Sequence, residues 1–142
     1  MSDTSIQRSF RLSATTSTLL DSLAATSTES RNSLVDRLLG EALRTQRHPL
    51  IGFRTGAAGR REPCLVGTRL LVRQVVASVK AERDGDRIRI VADDLDLDLA
   101  HVRAAVDYYA DFTEEIEADI AWALGVEDEQ LTRWERQQAA LR

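Results

Sequence analysis

The chain has 142 residues, 43% of them apolar and 30% charged, with a formal net charge of −4. That composition suits one ordinary globular domain or two very small ones, and argues against a disordered or membrane-spanning chain. No window approaches the roughly 20 apolar residues of a transmembrane helix, and the N-terminus lacks the apolar stretch of a signal peptide. Cys64 is the only cysteine, so no intrachain disulfide can form, and the expected location is a reducing cytoplasm.

The first element is "SIQRSFRLS", residues 5–13. Ile6, Phe10 and Leu12 share one face, and Gln7, Ser9 and Arg11 share the other, with Arg8 falling on the apolar side. A period of two is the signature of a half-buried strand. "SATTST" then breaks the alternation with helix-capping residues, and Leu19, Leu20, Leu23 and Ala24 predict a short first helix of about ten residues. The polar turn "TSTESRNS" offers Ser30 or Asn32 as the N-cap of a second helix. That helix carries Leu34, Val35, Leu38, Leu39, Ala42 and Leu43 on one stripe and ends near Arg44–Arg47, where positive charge suits a helix C-terminus. Strand, helix, helix over residues 1–47 cannot bury a core alone, and a single strand leaves both edges unpaired. Pairing with a second copy would cure both faults.

On "SFRLS" (9–13) and "SRNSLVDRLLGEAL" (30–43) the segment resembles the ribbon-helix-helix family, to which the Arc and MetJ repressors belong. The resemblance implies a homodimer in which two strands form an antiparallel ribbon lying in the major groove of operator DNA. Gln7, Ser9 and Arg11 become the base-contacting positions, and Phe10 and Leu12 enter a shared core. Ser30, Arg31 and Asn32 would hold a phosphate at the N-terminus of the second helix. An arginine fork at guanine supplies about 1–3 kcal/mol of base discrimination. Without the resemblance, Arg8 and Arg11 read equally as edge charges that guard against aggregation.

Residues 48–62, rich in glycine, read as a linker, with a short strand at Cys64–Val66. A unit over 63–112 follows. Leu71, Val72, Val75, Val76 and Val79 mark a helix, "AERDGDR" a turn, Ile88, Ile90 and Val91 a small helix, and Val102, Ala105, Val106 and Tyr109 a third. That order is helix-turn-helix-like. In "PCLVGTR" (63–69), Gly67 permits a tight reversal, Thr68 can hydrogen-bond the turn and Arg69 can pair with a carboxylate, while Cys64 reads as a small buried hydrophobe. "DDLDLDL" has carboxylates but neither the glycine nor the spacing of a calcium loop. Asp98 is better placed as a helix N-cap. Together with His48–Pro49 and "LDLAHVRAAVDYY" (97–109), "PCLVGTR" resembles the "four-three-three" domain-of-unknown-function family. Its members are regarded as VapB-type antitoxins with a winged or tri-helical fold, encoded beside PIN-like ribonucleases.

The rear, 113–142, holds "TEEIEADIAWALG", with Ile116, Ile120 and Leu124 spaced by four and Gly125 as a C-cap. A second helix follows, with Leu131, Trp134, Gln138 and Leu141 on one face. Residues 93–142 carry 4 Arg against 14 Asp/Glu, whereas residues 1–60 carry 8 Arg against 5 Asp/Glu. A basic front and an acidic rear suit two partners, a polyanion and a basic protein, although an acidic block is also an ordinary solvated surface. No nucleophile–base pair, phosphate-cradling loop or metal quartet is recognisable, so neither an enzyme nor a cofactor is expected.

The expectation is therefore a mainly α chain: a ribbon-helix-helix dimerisation unit, a small tri-helical or winged domain, and C-terminal helices. By resemblance it is a type II antitoxin that neutralises a PIN-like ribonuclease and represses its own operon. Trp122, Leu131, Arg133, Trp134, Arg136 and Leu141 are the toxin-binding candidates, with Arg133 or Arg136 reaching the nuclease's metal site; Trp122 reads about equally as a residue that packs back onto the middle unit, while Trp134 and Leu141 favour the toxin. The competing class is a stand-alone regulator whose rear domain senses a ligand or oligomerises. A third is an adaptor with no DNA role.

Overall fold

The computed structural model describes residues 4–142. It is mainly helical with one two-stranded antiparallel sheet, and it divides into two compact units, one running to Gly40 and the other spanning Glu41–Arg142.

The first unit holds α1 (Ala14–Thr26) and most of α2 (Arg31–Arg47). Ser13 caps α1, its Oγ accepting from the Thr16 N–H at 3.2 Å. Ser30 caps α2, its Oγ accepting from the Ser33 N–H at 3.1 Å, which resolves the choice between Ser30 and Asn32. Such caps satisfy donors that have no intrahelical acceptor. Arg37 grips Glu29 with Nε at 3.1 Å from both carboxylate oxygens and Nη2 at 2.8 Å from Oε1, tying the interhelical turn to α2. Residues 5–13, expected as a strand, carry no regular secondary structure in the single chain. A ladder needs a second edge, and the two strands among the described residues pair with each other.

The second unit opens with a hairpin where a linker was expected. Strands β1 (Ile51–Thr55) and β2 (Arg61–Leu65) pair from Ile51↔Leu65 to Thr55↔Arg61. The turn between them holds Ala58 at φ 57° and Gly59 at φ 71°. Pro63 is tolerated because each strand of a two-stranded sheet has one free edge, toward which alternate backbone nitrogens face. A Cβ at Gly56 would overlap Glu62 Oε2, so any larger residue there would have to displace that carboxylate. At Gly67 (φ 80°) the chain reverses, with Thr68 Oγ1 donating to the Leu65 carbonyl at 2.9 Å and accepting from the Leu70 N–H at 3.1 Å.

Helices α3 (Val72–Ala81), α4 (Arg87–Asp94) and α5 (Leu99–Asp111) follow in the expected order. Asp98 occupies the N-cap position of α5, but its side chain makes no cap hydrogen bond. The core gathers Ile51 and Leu65 from the hairpin, Val72, Val75 and Val76 from α3, Val91 from α4, and Val102, Ala105 and Tyr108 from α5. Ile116 closes it from α6 (Thr113–Ala140). The two C-terminal helices expected from Gly125 are thus one. Gly125 keeps helical backbone, and the Glu, Gln, Arg and Ala residues beyond it propagate the helix.

Candidate nucleic-acid interface

In the first unit, Leu34 alone among the described residues is buried. Ile6, Phe10, Leu12, Leu19, Leu23, Val35, Leu38 and Leu39 are all exposed, with Ile6 at 73% and Phe10 at 71%. Phe10, Arg11 and Leu12 line an apolar groove of about 610 Å³ whose walls are leucines of α1 and α2 with Val35. Large apolar side chains gathered in so small a unit form an exposed apolar patch, a feature common at interaction surfaces.

Gln7, Ser9 and Arg11, the expected base readers, are exposed in the segment leading to this groove. Ser30, Arg31 and Asn32 sit at the start of α2, as expected. The N–H groups of Arg31 and Asn32 belong to a helix's first turn, which lacks intrahelical acceptors and attracts anions. The Arg31 guanidinium lies 2.5 Å from Asp21, and both side chains are well exposed, so the pair is weak and open to exchange for a phosphate.

The expected partner-binding residues of α6 do not form one surface. Trp122 is half-buried in the second unit, with the Arg60 guanidinium 4.3 Å over its ring. Arg60 Nη2 also donates to Asp119 at 2.7 Å, and Asp119 is nearly buried. Burial pushes the Asp119 carboxyl above the usual carboxylate range, against the lowering effect of Arg60. Leu131, Arg133, Trp134, Arg136 and Leu141 lie instead on the distal half of α6, where every residue from Glu127 onward is exposed. At 3.6 residues per turn, Arg133 and Arg136 fall about 100° and about 160° around the axis from Trp134. They cannot act with it on one face.

Sequence reading missed a polar cluster in the second unit. Arg44 Nη1 donates to the Tyr108 hydroxyl at 3.0 Å and to Glu115 Oε2 at 2.6 Å. Burial, reinforced by Glu115 and opposed by Arg44, pushes the Tyr108 phenol up to about 12. His48 Nε2 is hydrogen-bonded to Asp111 Oδ2 at 2.8 Å and packs edge-on against Tyr108. Partners 63 to 71 residues apart leave no local spacing to read. Arg69, expected to pair with a carboxylate, makes no ion pair among the described residues; its carbonyl accepts from Arg54 at 3.0 Å. Cys64 is half-buried rather than fully buried, and burial raises its thiol pKa.

Among the described residues no group of His, Cys, Asp or Glu is placed to hold a metal ion, and no helix is long and apolar enough to cross a membrane. Comparison with protein-family models, with curated proteins and with solved structures finds no match, so the functional reading stands on this chain's own residues.

Proposed function

We propose that this chain is a DNA-binding regulator of the antitoxin kind, acting as a homodimer through its first unit. One observation carries the reading: residues 4–40 present a groove of exposed leucines and Phe10 with only Leu34 buried. A second copy laid on that face supplies the missing core. It also brings the two segments at 5–13 side by side, where they can pair as an antiparallel ribbon. Gln7, Ser9 and Arg11 then face base edges of the major groove, and the two α2 N-termini face flanking phosphates. The ribbon-helix-helix arrangement belongs to this proposal.

The antitoxin part draws on a second observation. From the end of α4 through α5, Asp93, Asp94, Asp96, Asp98, Asp107 and Asp111 are exposed against Arg103, giving a net acidic surface, while Arg87 and Arg89 are exposed at the start of α4. Such a field suits a basic protein such as a ribonuclease of the PIN kind.

The test is anisotropy titration of the full chain on duplex taken from immediately upstream of its own reading frame, against a scrambled duplex. Affinity for the first falls steeply with salt, through counterion release. Arg11→Ala weakens the cognate duplex far more than the scrambled one, whereas loss of a phosphate contact at Arg31 weakens both alike. Equal affinity for both duplexes, unchanged by Arg11→Ala, would overturn the DNA reading. Co-expression with the product of the adjacent reading frame tests the other part, which fails if the two proteins elute separately.

A further inference from the structure

The distal half of α6 is a solvent-exposed helical arm: Glu127 to Ala140 is helical and exposed at every position. An isolated helix of that length is marginal in water. Its one apolar stripe runs Leu124, Glu127, Leu131, Trp134, Gln138 and Leu141, spaced 3, 4, 3, 4, 3 as in a coiled-coil seam. Leu124, Leu131, Trp134 and Leu141 are 55–82% exposed.

The order along this stripe is apolar, polar, apolar, apolar, polar, apolar, and it reads the same from either end. We infer that the arm pairs antiparallel with the same arm of a second copy of this chain. In that register Leu124 meets Leu141 of the second copy, Leu131 meets Trp134, and Glu127 meets Gln138. Each apolar side chain faces an apolar one, and each carboxylate faces an amide able to donate to it. A parallel pairing would instead stack Glu127 on Glu127. Gln130 and Gln137 flank one side of the antiparallel seam without charge. On the other side Asp128 meets Glu135, which sets an upper limit on the strength of the pairing. The interface is isologous and closed. It is separate from the groove of the first unit, and a partner protein that takes Trp134 competes with it.

The test is disulfide trapping on the full chain in a Cys64→Ser background. One variant carries both Glu127→Cys and Gln138→Cys, and two control variants carry one of these each. Positions 127 and 138 of one helix are about 16 Å apart along the axis and cannot bridge within a chain. Antiparallel pairing gives a covalent dimer for the double variant and none for either single variant. Adding Leu131→Glu and Trp134→Glu abolishes it. Separately, Asp128→Lys, which faces Glu135 only in the antiparallel register, strengthens self-association in sedimentation velocity. A dimer trapped in the single variants, no dimer in the double variant, or a dimer that survives the two glutamates would overturn the inference.

Discussion

Replacing Phe10 by alanine separates the two accounts of the first unit. Phe10 is 71% exposed in the single chain. Burying such a side chain fully is worth about 1.5–3 kcal/mol, so the part still in water represents roughly 1–2 kcal/mol per copy. A two-fold pairing uses the contact twice, which makes about 2–4 kcal/mol for the dimer. At about 1.4 kcal/mol per decade, dimer Kd should rise between about 30-fold and 1,000-fold. The same change in an unpaired chain removes only the buried share, under about 1 kcal/mol. Sedimentation equilibrium reads Kd, in a chain that also carries Leu131→Glu and Trp134→Glu so that only pairing through the first unit contributes. Thermal melts at low protein concentration read the unpaired chain. An unchanged Kd would refute the claim that a second copy covers this groove. A loss of stability equal at all concentrations would mean that Phe10 serves the single chain instead.

Other consequences follow from particular residues. With its phenol held up to about 12 by burial and Glu115, Tyr108 stays protonated where an unfolded tyrosine, near 10, has ionised. Stability should therefore fall as pH rises from about 10 toward 12, alongside a late phenolate absorbance that Tyr108→Phe removes. Arg60→Ala leaves the nearly buried Asp119 without its 2.7 Å partner, costing about 1–3 kcal/mol at neutral pH. Because burial already raises the Asp119 pKa, acid neutralises that carboxyl early, so the gap to wild type in denaturant melts should narrow as pH falls. Gly67→Ala forces a Cβ into φ 80° and should cost about 1–2 kcal/mol in the same assay. Gly125→Ala meets nothing within 4 Å inside α6 and should stabilise by about 0.8–1.0 kcal/mol. Destabilisation there would mean that α6 breaks at Gly125.

The two copies of the chain are asked to meet at two places for different reasons. In the first unit, 37 described residues leave most of their own leucines exposed, and the proposed pairing would complete that core. On the distal stripe of α6 fewer large apolar side chains are exposed, Leu124, Leu131, Trp134 and Leu141, and the inferred pairing there would add to a domain with its own core. Interfaces of that second kind gain from the effective concentration that the first supplies, wherever the geometry lets both form together.

Periodicity was enough to locate most helices. The stripe from Leu34 to Leu43, the valines of α3 and the 102–109 pattern each carry the i, i+3, i+4 spacing that a helix buries, and Ser13, Ser30 and Asp98 stand at the N-caps of α1, α2 and α5. The turn at Gly67 and Thr68 was legible for the same reason, because it depends on neighbours in the chain. The hairpin was hidden because glycine and proline describe local freedom, while "IGFRT" becomes a strand only when "REPCL" lies opposite it. Gly125 misled in the reverse sense: a glycine permits a helix end without demanding one. The ties of Arg44 to Tyr108 and Glu115, of His48 to Asp111 and of Arg60 to Trp122 had no sequence signal. What the amino-acid order settled by itself is everything that depends on a few adjacent residues. What the tertiary structure alone decided is which side chains remain in water, because burial is a property of the whole packed chain. That difference turns Phe10 and Trp134 from apolar letters into exposed surface.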